Sequence, residues 1–185
     1  MKAVFSAVTR NRFGMRVLDA TVVKAAREVA KARRRALFGV AGSYGAMYGR
    51  LADYTRLPEE LFYANLSLVG TVRALPGSVV ECGVWRGGMS AGMASVLGPD
   101  RNYYLFDSFE GLPEASALDG PKALDWQRDN ALDRCRTEES HAHEAMRLAG
   151  STKYQVIKGW FNKTLPAFRA EPKIAVLRLD ADWYS

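Results

Sequence analysis

Cysteine and histidine are nearly absent from this chain, whose 185 residues carry two of each. Cys82 and Cys135 have no CxxC spacing and no histidine at zinc-ligand distance in the sequence, which excludes a disulfide framework and the common structural zinc patterns. Both read as reduced thiols, Cys82 being a small residue buried within an apolar strand. No apolar run approaches the ~20 residues that span a bilayer. The opening stretch Met1 to Val8 holds one lysine, a short apolar segment and no convincing cleavage site, which argues against a secretory signal. The helical pattern that continues beyond it weakens a transit-peptide reading, so the cytoplasm is the expected location. Repeats and low-complexity tracts are also missing.

Positive charge is what the chain has in excess, and it is unevenly placed. The net charge is +6, and residues 1–50 hold eleven lysines and arginines against Asp19 and Glu28. Arg33, Arg34 and Arg35 follow Lys24, Arg27 and Lys31. Such a stretch suits a membrane surface, a nucleic acid or an anionic substrate, and equally an ordinary solvated helix face. Only charge favours a nucleic-acid partner, so none is expected, and contact with a membrane surface is the weaker reading of this arm.

The chain is 48% hydrophobic, which is sufficient for one real core. Apolar residues recur at helical spacing from about Met15 to Leu37, after which Gly39, Gly42 and Gly45 interrupt the pattern. A second helix is predicted from Pro58 to Leu75, with Pro58, Glu59 and Glu60 at its start and Pro76-Gly77 at its end. From there the texture is α/β. Strands are predicted at Ser78–Cys82, Asn102–Phe106, Tyr154–Ile157 and Ile174–Leu179, with a small-residue helix at Met89–Leu97. Residues 108–150 read as a long polar excursion with one helix near Glu138 to Leu148. Alternating strands and helices predict a parallel sheet covered on both faces. The expected division is a basic helical arm and lid at 1–57 and a partial Rossmann-like domain at 58–185. Four strands are few for a doubly wound sheet, and the last would have one unpaired edge. The sheet therefore reads as interrupted, with its final strands missing, an arrangement compatible with a homo-oligomer.

Four constellations carry chemistry. Glu81-Cys82-Gly83-Val84-Trp85-Arg86-Gly87-Gly88 passes from a strand into a glycine turn, which brings backbone close to a ligand at the sheet edge. Its G-x-x-x-G-G spacing differs from the G-x-G-x-x-G of dinucleotide folds and suits a ligand with an amino-acid tail. Asp107, 24 residues after Gly83, is placed to accept hydrogen bonds from two ribose hydroxyls. Asp107 or Ser108 equally suits a cap for the next element. Trp160 and Phe161 follow Gly159 and either wall a planar base or belong to the core. Asp180 and Asp182, at the end of the fourth strand, are hard oxygen donors suited to Mg²⁺, or caps of a loop. His141 and His143 lie in the excursion, where solvated histidines are the ordinary case.

Together VVECGVWRGG, LFDSFEGLPE, KGWFNKTLP and IAVLRLDADWYS resemble the macrocin O-methyltransferase family of TylF, MycF and NovP type, from about Tyr54 to Ser185. The resemblance implies a class I Rossmann-like fold, S-adenosyl-L-methionine and Mg²⁺ as cofactors, and methylation of a small-molecule or sugar hydroxyl. It implies Glu81, Gly83 and Gly87 on the methionine side, Asp107 and Ser108 at the ribose, and Trp160 and Phe161 near the adenine. Tyr54 and Thr55 match a lid segment, and Asp180 the first metal-binding aspartate and candidate general base, with Asp182 assisting. The family's further metal ligands form an Asp-Asp pair after another strand, which this sequence does not reach. The expectation is a fragment that holds the cofactor but turns over little. The alternative is a non-catalytic cofactor-binding or interaction module.

Overall fold

The computed structural model describes residues 44–130, 135–171 and 173–182, together with Val22, Lys24, Ala25, Glu28, Val29 and Ala32. The chain divides into two compact units, Met1–Ala41 and Gly42–Ser185. In the first, the described residues are helical. The rest of the predicted helix, including Arg33, Arg34 and Arg35, lies outside the described residues, as do Trp183, Tyr184 and Ser185.

The second unit is built on four parallel strands, β1 (Ser78–Cys82), β2 (Tyr103–Asp107), β3 (Tyr154–Lys158) and β4 (Ile174–Leu179), in the order β3-β2-β1-β4. This order reverses direction between β1 and β4. Diverging crossovers leave a crevice at the C-terminal ends of those two strands, where open α/β sheets bind ligands. β1 is buried along its whole length, as suits a central parallel strand, and its two polar side chains, Ser78 and Glu81, are satisfied by hydrogen bonds.

Helices α1 (Tyr44–Leu51), α2 (Glu59–Thr71), α3 (Gly88–Leu97), α4 (Pro121–Asp129), α5 (Glu139–Leu148) and α6 (Phe161–Thr164) complete the unit. α3 packs against α2 and α5, and this layer buries Phe62, Tyr63, Leu66, Met93 and Met146 almost fully. Each such side chain contributes about 1.5–3 kcal/mol by leaving water. On the opposite face Val80, Cys82 and Phe106 form a cluster covered by Phe161, Phe168 and Ala170. Leu177 and Leu179 of β4 remain largely exposed. α2 ends at Thr71, short of the predicted Leu75. The Arg101 guanidinium satisfies the carbonyls of Arg73, Leu75 and Gly77 beyond it.

Two predicted features differ in detail. The glycines near 45 do not stop helix formation, since α1 runs from Tyr44 through Gly49. The excursion contains α4 as well as α5. α4 starts with Pro121 in its first turn, after a short 3₁₀ turn capped by Ser116 and Asp119. A polar helix that buries only Ala123 offers little apolar periodicity to read.

Backbone bonds stitch the strand ends together. Asp180 N donates to Cys82 O at 2.9 Å, Gly83 N to Phe106 O at 2.8 Å and Gly159 N to Asp107 O at 2.9 Å. Gly83 has φ +88°, and a Cβ there would collide with the Asp180 carbonyl. Gly83→Ala should therefore lower stability by about 2–4 kcal/mol, combining left-handed strain with the clash. In thermal melting this is a fall in Tm of roughly 5–15 °C; an unchanged Tm would show that the strand ends tolerate separation.

Candidate active site

The C-terminal ends of all four strands border one cavity of about 660 Å³. Glu81 and Gly83 reach it from β1, Asp107 and Ser108 from β2, Gly159, Trp160 and Phe161 from the end of β3, and Asp180 and Asp182 from the end of β4. Tyr54 and Thr55 close one side. Of the residues singled out in the sequence, Gly87 does not line the cavity. It holds the left-handed position before α3 (φ +79°) and backs onto Ala142 of α5. His141 and His143 are also outside the lining. His141 Nδ1 lies 3.2 Å from Thr137 Oγ1, and His143 Nδ1 3.0 Å from the Tyr154 hydroxyl.

Asp107 organises the floor. Its Oδ2 accepts from Trp85 N at 2.8 Å and its Oδ1 from Phe109 N at 2.7 Å. Both donors belong to non-glycine residues in left-handed conformation, with φ of 50° at Trp85 and 59° at Phe109. Such backbone costs about 1–2 kcal/mol per residue and persists where a bond compensates it. The backbone N–H groups of Val84 and Ser108 also act on this carboxylate. Asp107 thus holds both turns while lining the cavity. Burial raises the Asp107 pKa, against the opposing effect of the backbone N–H groups of Phe109 and Trp85. The Ser108 hydroxyl is turned to local backbone, accepting from Glu110 N at 3.1 Å.

Glu81 is the deepest charge. It is 1% exposed, and burial raises its pKa against the opposing pull of Arg178 and Ser90. Arg178 Nη1 lies 2.7 Å from Glu81 Oε1, and the Ser90 hydroxyl donates to Glu81 Oε2. Arg178 Nη2 reaches Asp180 Oδ2 at 2.9 Å. Burial alone would lower the Arg178 pKa, but Glu81 and Asp180 outweigh it and raise it. Asp182 is also shifted upward, by burial and by the neighbouring Asp180 carboxylate, with Arg56 and Arg178 opposing.

The segment 53–55 is drawn tightly onto the glycine turn. A Cβ at Gly88 would stand 2.5 Å from the Tyr54 carbonyl oxygen, so this close approach depends on glycine. Arg86 donates to Asp53 O at 3.1 Å and to Thr137 Oγ1 at 3.3 Å. The guanidiniums of Arg86 and Arg56 lie 4.5 and 5.2 Å from the centroid of the Trp85 ring. Thr55 Oγ1 accepts from Leu57 N at 3.2 Å. Trp160 is 36% exposed beside the cavity, whereas Phe161 both lines it and packs on the Val80–Phe106 cluster.

Sequence reading missed several lining residues. Trp126 and Cys135 come from the excursion, Trp85 lies inside the glycine turn without having been given a role, and Arg56 follows Thr55. Arg178 carried a legible signal, since a charge inside the apolar run IAVLRL requires an anionic partner once buried. Among the described residues no group of three or more His, Cys, Asp or Glu side chains is arranged to hold a metal. None of the described helices is long and apolar enough to cross a membrane.

A family model described as macrocin-O-methyltransferase (TylF) matches residues 63–185. The chain is 35% identical over 118 residues to the 8-demethyl-8-(2,3-dimethoxy-alpha-L-rhamnosyl)-tetracenomycin-C 4'-O-methyltransferase of Streptomyces olivaceus, covering 60% of this chain and 44% of that protein. It is 34% identical over 119 residues to the mycinamicin III 3''-O-methyltransferase of Micromonospora griseorubida, covering 60% and 46%. The chain thus matches less than half the length of these curated relatives. The crystal structure of the calicheamicin methyltransferase CalS11 aligns with a TM-score of 0.50 at 20% identity, over 76% of this chain and 68% of that one. That is a likeness of fold.

Asp107→Ala should remove the partners of two left-handed N–H groups and cost about 2–4 kcal/mol, since each unpaired buried donor costs about 1–3 kcal/mol. Urea denaturation measures this. A loss below about 0.5 kcal/mol, the range of ordinary surface substitutions, would show that Trp85 and Phe109 hold their conformation without it.

Proposed function

The chain belongs to the macrocin-O-methyltransferase (TylF) family, and from that premise we propose that it binds S-adenosylmethionine at the C-terminal sheet edge and readies a sugar or other small-molecule hydroxyl for O-methylation. One observation carries this reading. The glycine turn, the ribose-type aspartate, the Trp160 ring and the Asp180 carboxylate border a single cavity at the point where strand order reverses.

Within it, Gly83 and the turn that ends at Gly87 admit the amino-acid end of the ligand, with Glu81 beneath. Asp107 offers two oxygens to the ribose hydroxyls, and Ser108 shapes the same corner. Trp160 walls the adenine, with Phe161 supporting from the core side, and Tyr54 and Thr55 cover the site. S-adenosylmethionine brings an already activated methyl group, so the protein's work is alignment and preparation of the attacking oxygen. In the transfer an oxygen–carbon bond forms as the sulfur–carbon bond breaks, leaving S-adenosylhomocysteine. Asp180 accepts the hydroxyl proton.

The donor chemistry of Asp180 and Asp182 fits Mg²⁺, which favours carboxylate oxygens and keeps several waters. When bound there, Mg²⁺ would lower the hydroxyl pKa and stabilise the developing alkoxide. Asp180 and Asp182 are the residues of this chain that would hold it.

Calorimetry with S-adenosylmethionine tests the cofactor assignment, with loss of two ribose hydrogen bonds in Asp107→Ala expected to weaken binding at least about tenfold. A product assay with Mg²⁺ and sugar acceptors tests the reaction, and Asp180→Asn should remove turnover while sparing cofactor affinity. Absence of cofactor binding by the wild-type chain would refute the proposal.

A further inference from the structure

A guanidinium in an apolar strand has to meet an anion, because a buried charge left alone costs several kcal/mol. Arg178 meets two. It stands opposite Glu81 in the β1–β4 register, so two strand backbones fix where its side chain starts. Nη1 takes Glu81 Oε1 at 2.7 Å and Nη2 takes Asp180 Oδ2 at 2.9 Å. Side-chain exposure rises along this chain of contacts, from 2% at Glu81 through 14% at Arg178 to 49% at Asp180. The inner end is anchored further by the Ser90 hydroxyl from α3. The network therefore runs from a rigid interior to the rim of the cavity.

We propose that Arg178 is a positioning residue for Asp180. Held by Glu81 and Ser90, it fixes the Asp180 carboxylate through one oxygen and leaves the second for an acceptor hydroxyl or a divalent cation. The role rests on the reading of Asp180 as the carboxylate that acts on the acceptor. It also gives Glu81 a task on the acceptor side of the site, exercised through Arg178. The planar fork of arginine suits this task. Its two nitrogens reach two carboxylates in a fixed plane, whereas the lysine ammonium is a point charge on a flexible stem.

The decisive variant keeps the charge and removes the fork. In the full chain, Arg178→Lys keeps a positive charge beside Glu81, so the affinity for S-adenosylhomocysteine should fall by a smaller factor than Mn²⁺ binding does. Mn²⁺ binding, read by electron paramagnetic resonance, should weaken about tenfold, as is usual when a group orienting a metal ligand is lost. Turnover should drop by a similar factor at saturating S-adenosylmethionine, with its KM unchanged. Mn²⁺ binding and turnover equal to wild type in Arg178→Lys would overturn the proposal, since charge alone would then suffice. If that variant does not fold, Ser90→Ala provides the second arm. It loosens Glu81 without altering charge and should move both readouts in the same direction, and no movement overturns the proposal. Asp180→Asn separates the two readings. Loss in Asp180→Asn without loss in Arg178→Lys removes only the role of Arg178. Wild-type behaviour in Asp180→Asn, or a wild-type chain with neither Mn²⁺ binding nor turnover, removes the reading of Asp180 and this role with it.

Discussion

The Glu81–Arg178 ion pair is the contact on which the rest of the site depends, because it joins the two strands between which the sheet changes direction. Removing one partner of a buried pair typically costs about 3–5 kcal/mol, whereas an apolar pair of matching shape would stabilise as well or better. Its value here lies in what it constrains. A one-residue slip of β4 against β1 would turn Arg178 to the opposite face and strand Glu81 beside Ser90 without a cation. The pair thereby fixes register, and register fixes where Asp180 leaves the strand.

From that fixed edge the remaining geometry follows in steps. Asp180 N bonds back to Cys82 O, and the bare α-carbon of Gly83 admits the Asp180 carbonyl. The chain then turns through Trp85, whose left-handed backbone is held by Asp107 across the sheet. The same carboxylate holds Phe109, so one buried acid shapes both the turn after β1 and the turn after β2. Gly88 next admits the Tyr54 carbonyl at the start of α3. Apart from the backbone bond of Asp180, these contacts need either a missing side chain or a carboxylate that accepts backbone N–H groups. Glycines and acids are accordingly what the sequence places at the strand ends.

Much of this was legible without coordinates. Four apolar runs of strand length bounded by glycine and acid predicted the four parallel strands, with ends that differ from the observed ones by a residue at most. The glycine turn and Asp107 were legible because strand-end spacing in doubly wound sheets constrains residue type. Of the two alternatives set against each other in the sequence, the structure shows Asp107 bonded to backbone in the capping manner, and the same side chain lines the cavity. Phe161 likewise serves core and cavity wall together. What stayed hidden depends on long-range pairing or weak periodicity. Arg178 and Glu81 are 97 residues apart, and only the sheet brings them together. α4 was obscured by its polar composition, although Gly120-Pro121 marked its start. Trp126 and Cys135 reach the cavity through the fold of the excursion, which local patterns do not predict.

The central claim is that the turns after β1, β2 and β3 form one binding surface for a sulfonium nucleoside. Hydrogen–deuterium exchange of the chain, with and without S-adenosylhomocysteine, tests it directly. The account predicts slowed exchange in three separated segments at once, residues 83–88, 107–112 and 159–161, with little change at Arg128 to Asn130 on the far end of α4. Protection confined to one of these turns, or lying elsewhere on the molecule, would contradict it.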